Sequence, residues 1–336
     1  MDGLRGFGAF AVYLSHFFIE FYHEQTVGER DGGIDVVAPP EFLKKTPAKI
    51  LYHGYFWVFV FFILSGFVLP MRFFVTRKST CITGGTFRRY FRLMLPVLVI
   101  LSLYYLTMKF DLYGNKTFDR IKKRRFFDLM FDSLLGTWLG DQSWILATWT
   151  LSIELVATFM VYLIAQTVVN YRGRFFIYLG IISFIWLIQL MGYIKMIEIY
   201  LSKLMIHLPI FVVGVFFADM ESLPKRPLDK IRLLSIWWKI PINTFLLFVF
   251  FTYGSWTGEG HCLTTYDEEC DYWYYTTVFG YIPKAFAMYA AAISIFLLAL
   301  TSDWTQWILA TWPLQFLGRI SYTLYLIHEL FIMWLE

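Results

Sequence analysis

The stretch of sequence that decides the fold is YHGYFWVFVFFILSGFVLPM, residues 52–71. It contains no aspartate, glutamate, lysine or arginine over its 20 residues. A helix of about 20 predominantly apolar residues is long enough to cross the hydrocarbon core of a bilayer. Residues 52–71 are therefore predicted to form a membrane-spanning helix, which makes a membrane protein the first hypothesis for the whole chain.

Apolar stretches of this kind recur along the sequence. The strands of a β-barrel would show apolar and polar residues alternating over about ten positions, whereas these stretches are continuously apolar. They predict an all-α fold: a polytopic transmembrane helix bundle of about nine to ten spans. We expect a single domain, residues 1–336, with no fused soluble domain. The nine visible stretches are 4–22, 52–71, 93–108, 149–169, 175–191, 204–218, 236–253, 283–301 and 320–335.

The composition agrees with a membrane protein. Of the 336 residues, 58% are apolar and 16% are charged, whereas soluble domains have about 45–50% and about 25%. An entirely soluble protein is excluded, because it could not bury this much apolar surface. The net charge of +4 is modest, so we expect the lipid bilayer, and no nucleic acid, as a macromolecular partner.

The basic residues of the loops predict the orientation, because short cytosolic loops are enriched in lysine and arginine. The predicted loops after the second, fourth and sixth spans are basic, and they share one side if the N-terminus is cytosolic. The basic segment 116–125 would then lie on the opposite side, against the rule. We expect an integral multi-pass protein with a cytosolic N-terminus, in the plasma membrane or an endomembrane.

The cysteines indicate a candidate disulfide, and the first span and the chain ends bear on cleavage and truncation. Cys262 and Cys270 share a predicted loop opposite the cytosolic side, where a disulfide between them is a candidate and two free thiols are the alternative. No cysteine–histidine cluster has zinc-ligand spacing, so no metal site is expected. The first span lacks a signal-peptide cleavage site. Both chain ends lie at predicted spans, which leaves open that the chain is truncated at both ends.

Two histidines lie inside predicted spans, each with an arginine nearer the cytosolic end. His16 follows Arg5 by eleven residues, which places both on one helix face about 16 Å apart. His328 follows Arg319 by nine residues, so it should lie at about the depth of His16 if both spans run outward. Histidine can act as a base near physiological pH. A purely structural role for both histidines is the alternative.

Other polar residues interrupt the apolar stretches. Glu154 is a carboxylate inside an apolar helix, which is costly unless the group is paired or protonated. The pair Ser65-Gly66 is more typical of close helix packing. A cluster of arginines at a predicted membrane surface suits lipid headgroups or orientation, and equally the phosphates of a nucleotide-like cofactor. This cluster consists of Arg88, Arg89 and Arg92.

In their order and spacing, these segments resemble the acyltransferase 3 family of integral-membrane acyltransferases. The Trp-Thr pair followed by a single acidic residue is similar to the eukaryotic branch. One departure is that nine spans are visible where the family usually has ten. The matching segments are Asp2-Gly3-Leu4-Arg5-Gly6 with His16, Phe61-Phe62 with Ser65-Gly66, Arg89 with Arg92, Trp149-Thr150-Leu151-Ser152-Ile153-Glu154, and Gly318-Arg319-Ile320-Ser321-Tyr322 with Tyr325 and His328.

The resemblance implies transfer of an acyl group, acetyl or another short chain, from cytosolic acyl-CoA as the donor substrate. The acceptor would be a hydroxyl, or less often an amine, of a carbohydrate, lipid or small molecule. In the family, the arginine and histidine of the first span carry the activity, and they correspond to Arg5 and His16. His16 would act as a general base or would itself be acylated.

Further roles are hypotheses that combine the residues with the resemblance. Glu154 would orient His16 or bind the acceptor, and the arginine cluster would hold the CoA phosphates. A transporter or proton-coupled carrier without acyl-transfer activity is the alternative, because carriers also use intramembrane histidine, glutamate and arginine. The sequence shows no inverted repeat, which is a feature of many carriers, so this observation speaks against the carrier. The candidates for binding substrate or stabilising the oxyanion are Ser65, Tyr325, His328 and Arg319.

Overall fold

The computed structural model describes residues 1–21, 47–110, 126–139, 148–190, 199–255 and 278–335. These residues form helices, with no β-strand among them, so the all-α prediction is confirmed for this part of the chain. The α-helices are α1 (Asp2–Phe21), α2 (Gly54–Thr76), α3 (Thr80–Lys109), α4 (Phe126–Phe131), α5 (Trp149–Val168), α6 (Arg174–Leu190), α7 (Ile199–Glu221), α8 (Pro227–Arg232), α9 (Ile236–Gly254), α10 (Val278–Thr301), α11 (Asp303–Leu309) and α12 (Trp312–Leu335).

Each predicted apolar stretch corresponds to one long helix, but fewer helices meet the criterion for a membrane span. Among the described residues, five segments are long and apolar enough to cross a membrane, and they lie in α2, α3, α5, α7 and α9. A sixth is obtained if α10 and α11, which are bent by 93° at their junction, count as one span. The structure therefore supports a helical membrane bundle, while the expected nine to ten spans are not reached by this criterion.

Helix α2, which contains the sequence that decided the fold, lies at the centre of the bundle. It packs against α1, α3, α5, α7 and α10. Residues 56–59 are consecutive and all buried, which requires neighbours on every side of the helix. A Cβ at Gly66 would collide with the backbone of Phe211 on α7. This close approach confirms the packing role predicted for Gly66.

Contacts between neighbouring helices give their directions. Gly54 at the start of α2 lies against Ser15 near the end of α1, and Gly8 lies against Trp57, so α1 and α2 are antiparallel. The starts of α2 and α5 lie side by side, and α7 follows the direction of α2. We call the end where α1 begins and α2, α5 and α7 finish the basic end, and the opposite end the distal end.

The basic residues that follow three helices come together at the basic end. Arg77, directly after α2, interacts electrostatically with α6. Arg174 begins α6 and forms an ion pair with Asp219 near the end of α7. Arg232 follows α7 and donates a 3.0 Å hydrogen bond to the backbone near the end of α10. The expectations for residues 116–125, Cys262 and Cys270 fall outside the described part of the chain.

Candidate active site

The two histidines of the predicted site lie side by side. Helices α1 and α12 are parallel and approach closely where a Cβ on Gly6 would collide with the backbone of Gly318. His16 and His328 each follow these glycines by ten residues, and parallel helices rise equally, by about 15 Å over that distance. The ring centroids are 4.8 Å apart with planes inclined at 62°. The prediction that both histidines lie at one depth is confirmed.

The hydrogen bonding of His328 defines which of its ring nitrogens is available. Nδ1 lies 2.5 Å from the backbone oxygen of Tyr325. A carbonyl oxygen only accepts, so Nδ1 carries a proton and donates it. Nε2 is buried and has no hydrogen-bond partner within the described residues. In the neutral ring this nitrogen has a lone pair that can accept a hydrogen bond.

Tyr325 connects the histidine level to α5. Its hydroxyl lies 2.7 Å from the Thr150 hydroxyl, and either group can be the donor. Both side chains are buried, so the pair places a polar contact inside the bundle beside His328. Thr150 occupies the face of α5 that also carries Glu154, whereas Ser152 bonds to its own helix backbone at Trp149.

Glu154 is held by two helices at once. Arg89 of α3 forms an ion pair with its Oε1, and the Ser65 hydroxyl of α2 donates to the same oxygen at 2.8 Å. Side-chain exposure is 9% for Arg89 and 21% for Glu154, so the pairing supplies the compensation that a buried carboxylate requires. Glu154 therefore contacts Arg89 and Ser65, and no hydrogen bond joins it to His16 in the part of the chain that the structure describes.

The arginines separate into inward-facing and outward-facing members. Arg89 is buried, whereas Arg88 and Arg92 are exposed. Arg92 interacts electrostatically with both Arg89 and Arg5, so cations from α1 and α3 converge at the basic end. Arg319 is exposed and forms no hydrogen bond or ion pair with any described residue.

Two tyrosines next to the arginines were not predicted as site residues. The Tyr322 hydroxyl donates to the backbone oxygen of Leu93 on α3 at 2.8 Å, and Tyr322 also interacts electrostatically with Glu154. Tyr162 of α5 is buried and interacts electrostatically with the three arginines of α3. Tyr322 lies in a segment that carries the family resemblance, whereas no motif indicated Tyr162.

The distal side of the histidine pair contains a third ionisable residue. Glu329 follows His328 directly on α12, and one potential ligand atom from each of His16, His328 and Glu329 lies within 4.8 Å of the others. Tyr104 of α3 interacts electrostatically with Glu329. The Tyr104 hydroxyl is buried without a hydrogen-bond partner in the described ranges. These four residues come from α1, α3 and α12, so no short sequence motif predicts that they lie together.

Comparison with known proteins gives one match. A family model described as an acyltransferase domain, Acyl_transf_3, matches residues 1–336, the whole chain. No curated protein and no solved structure matches the chain.

Proposed function

This chain belongs to the Acyl_transf_3 family of acyltransferase domains, and from that premise we propose that it transfers an acyl group from acyl-CoA to a hydroxyl-bearing acceptor inside the membrane. The observation that carries the proposal is the pair His16–His328, with rings 4.8 Å apart. A base inside an apolar bundle needs a partner that can share its proton. His328 offers an unoccupied, buried Nε2 beside His16.

In the proposed reaction, His16 is the proton acceptor and His328 is a positioning residue. His16 is the more accessible of the two rings, so the acceptor hydroxyl gives it a proton. The acceptor oxygen then bonds to the carbonyl carbon, the carbon–sulfur bond breaks, and the CoA thiolate takes the proton from His16. Nε2 of His328 accepts a hydrogen bond from the protonated His16 ring, while Tyr325 fixes His328 through its backbone oxygen.

The basic end is the proposed entry for the CoA moiety. Arg5 and Arg92 are at least partly exposed and interact electrostatically. Their guanidinium groups suit the phosphates of CoA through charge-assisted hydrogen bonds. Arg5 lies about 16 Å from His16 along α1, a separation that the pantetheine arm would span. Arg89 has a different role, because its ion pair with Glu154 holds α3 against α5.

We further propose that nine long helices cross the bilayer, with the basic end in the cytosol. Helix α9 is antiparallel to α10, because Asn243 bonds to Ser302 and Gly254 lies against Ala291. Helices α1 and α12 pack closely against each other although they are not among the five spans that meet the criterion. The positive-inside tendency places the arginines of the basic end on the cytosolic side. That side is also where acyl-CoA would be available as donor.

The test uses the full chain purified in detergent micelles with acetyl-CoA as donor and a lipid and metabolite extract as acceptor source. We expect release of free CoA together with one new acetylated species, and loss of both with His16→Ala. His207→Gln is the matched control, because His207 is a buried histidine that contacts Tyr55 at 3.3 Å and lies outside the histidine pair. Uptake of an extract component by sealed liposomes that contain the same purified chain, without any release of CoA, would favour the proton-coupled carrier instead.

A direct transfer and a covalent route differ in one product. If His16 itself attacks the thioester, acetyl-CoA labelled in the acetyl group should label the protein when acceptor is omitted. We propose direct transfer, because Nε2 of His328 is positioned to stabilise a protonated His16. Stable labelling of the wild type that is absent in His16→Ala would contradict direct transfer and leave the acyltransferase assignment intact.

A further inference from the structure

Three potential metal ligands lie close together where His16 of α1 and His328 of α12 are at the same depth. One atom from each of His16, His328 and Glu329 lies within 4.8 Å of the other two. Zinc binds histidine nitrogen and carboxylate oxygen at about 2.0–2.2 Å, so two ligand atoms of one ion are at most about 4.4 Å apart. Small side-chain rotations would therefore bring all three atoms to bonding distance of a common ion.

His328 already has the hydrogen bonding of a metal ligand. Histidines that bind a metal through one nitrogen usually donate the other N–H to a carboxylate or a backbone carbonyl, which fixes the tautomer and the ring orientation. Nδ1 of His328 makes such a bond to the backbone oxygen of Tyr325, at 2.5 Å. Nε2 is left as a buried lone pair with no hydrogen-bond partner in the described chain, and the side chain is 1% exposed.

The charge of the cluster also suits a divalent ion. Two neutral imidazoles and one carboxylate leave a net charge of one on a bound divalent cation, which reduces the cost of placing it inside an apolar bundle. Histidine nitrogen favours zinc and related transition metals, whereas magnesium and calcium favour oxygen ligands. Tyr104 and Tyr325 interact electrostatically with Glu329.

We propose that His16, His328 and Glu329 form a binding site for a divalent transition metal of the zinc class, and that its occupancy inhibits the protein. A metal ion on His16 would occupy the nitrogen that takes the proton from the acceptor. The binding site stands on geometry alone, whereas the inhibition rests on the proposed function. The three residues come from two helices that Gly6 and Gly318 hold together, so the site exists only in the folded bundle.

Binding is tested on the full chain in detergent after removal of metal with a chelator. Zinc bound per chain is measured by equilibrium dialysis, and the visible absorption of Co²⁺ reports the ligand geometry. We expect Glu329→Gln and His328→Ala to lose one equivalent of zinc or to bind it at least about tenfold more weakly. The control His207→Gln should bind zinc as the wild type does. Equal zinc binding by the wild type and both cluster variants would overturn the proposal.

Inhibition is tested separately, with acetyl-CoA as donor and free CoA quantified by chromatography. Zinc should lower turnover of the wild type, and a chelator should restore it. Glu329→Gln should require at least about tenfold more zinc for the same fractional loss of its own turnover. Turnover that zinc leaves unchanged would overturn the inhibition and leave the proposed function standing. If the wild type shows no turnover, the proposed function is overturned. The zinc bound in dialysis would still decide whether the metal site exists.

Discussion

His16 and His328 face each other with ring centroids 4.8 Å apart, on two parallel helices. The relationship follows from the close contact of Gly6 with Gly318 and from the equal ten-residue spacing to each histidine. Glycine at both positions removes the side chains that would separate the helices.

The glycine contact should control both stability and the histidine pair. Gly6→Ala places a Cβ against the backbone of Gly318, and overpacking of this kind typically costs about 1–3 kcal/mol. We expect a lower temperature of thermal unfolding in detergent and a lower rate of CoA release. Gly180→Ala is the matched control, because nothing lies within 4 Å of a Cβ at that position of α6. Equal unfolding temperatures for both variants would contradict the close approach of α1 and α12.

The histidines should differ in kinetic effect because their proposed roles differ. His16→Ala removes the proton acceptor, and loss of general base catalysis lowers kcat by about 10²–10⁴-fold. His328→Ala should lower kcat by a smaller factor and leave KM for acetyl-CoA unchanged, because it supports His16 without touching the donor. Steady-state kinetics of CoA release measure both. A rise in KM without a change in kcat for His328→Ala would contradict the positioning role.

Removing one partner of the buried Arg89–Glu154 ion pair should lower stability more than removing both partners. Glu154→Leu leaves Arg89 uncompensated in the bundle, which typically costs about 3–5 kcal/mol. Replacing both partners by apolar residues, as in Glu154→Leu with Arg89→Met, should recover much of that stability. Thermal unfolding in detergent measures the stability of the wild type, the single variant and the double variant. The control Asp2→Asn breaks an exposed pair with Arg5, whose loss should change stability by less than about 1 kcal/mol.

The exposed arginines should affect donor binding and leave the chemical step intact. Hydrogen bonds to charged groups contribute about 1.5–3 kcal/mol, so Arg92→Ala or Arg5→Ala should raise KM for acetyl-CoA by about 10–100-fold. The change in kcat should be small by comparison, and the effect should weaken at high salt. Arg172→Ala is the control, because Arg172 is an exposed arginine near the same end, outside the cluster. Unchanged KM in both cluster variants would contradict the proposed CoA entry.

Much of the architecture could be predicted from the sequence alone. Continuous apolar stretches must satisfy their backbone hydrogen bonds internally in a bilayer, so each of the nine became a helix. Counting residues from the arginines placed His16 and His328 at one depth, because the rise per residue is constant in a helix. Gly66 was correctly expected to serve packing, since small residues in spans allow close approach.

Only the tertiary structure decided which polar groups meet. Glu154 pairs with Arg89 and not with His16, because that choice depends on how α3 and α5 rotate against each other. Arg88 and Arg92 stay outside for the same reason. The free nitrogen of His328 and its closeness to Glu329 arise from hydrogen bonds and helix contacts that span the chain. A one-dimensional pattern determines the depth and face of a residue, whereas its partners depend on the packing of whole helices.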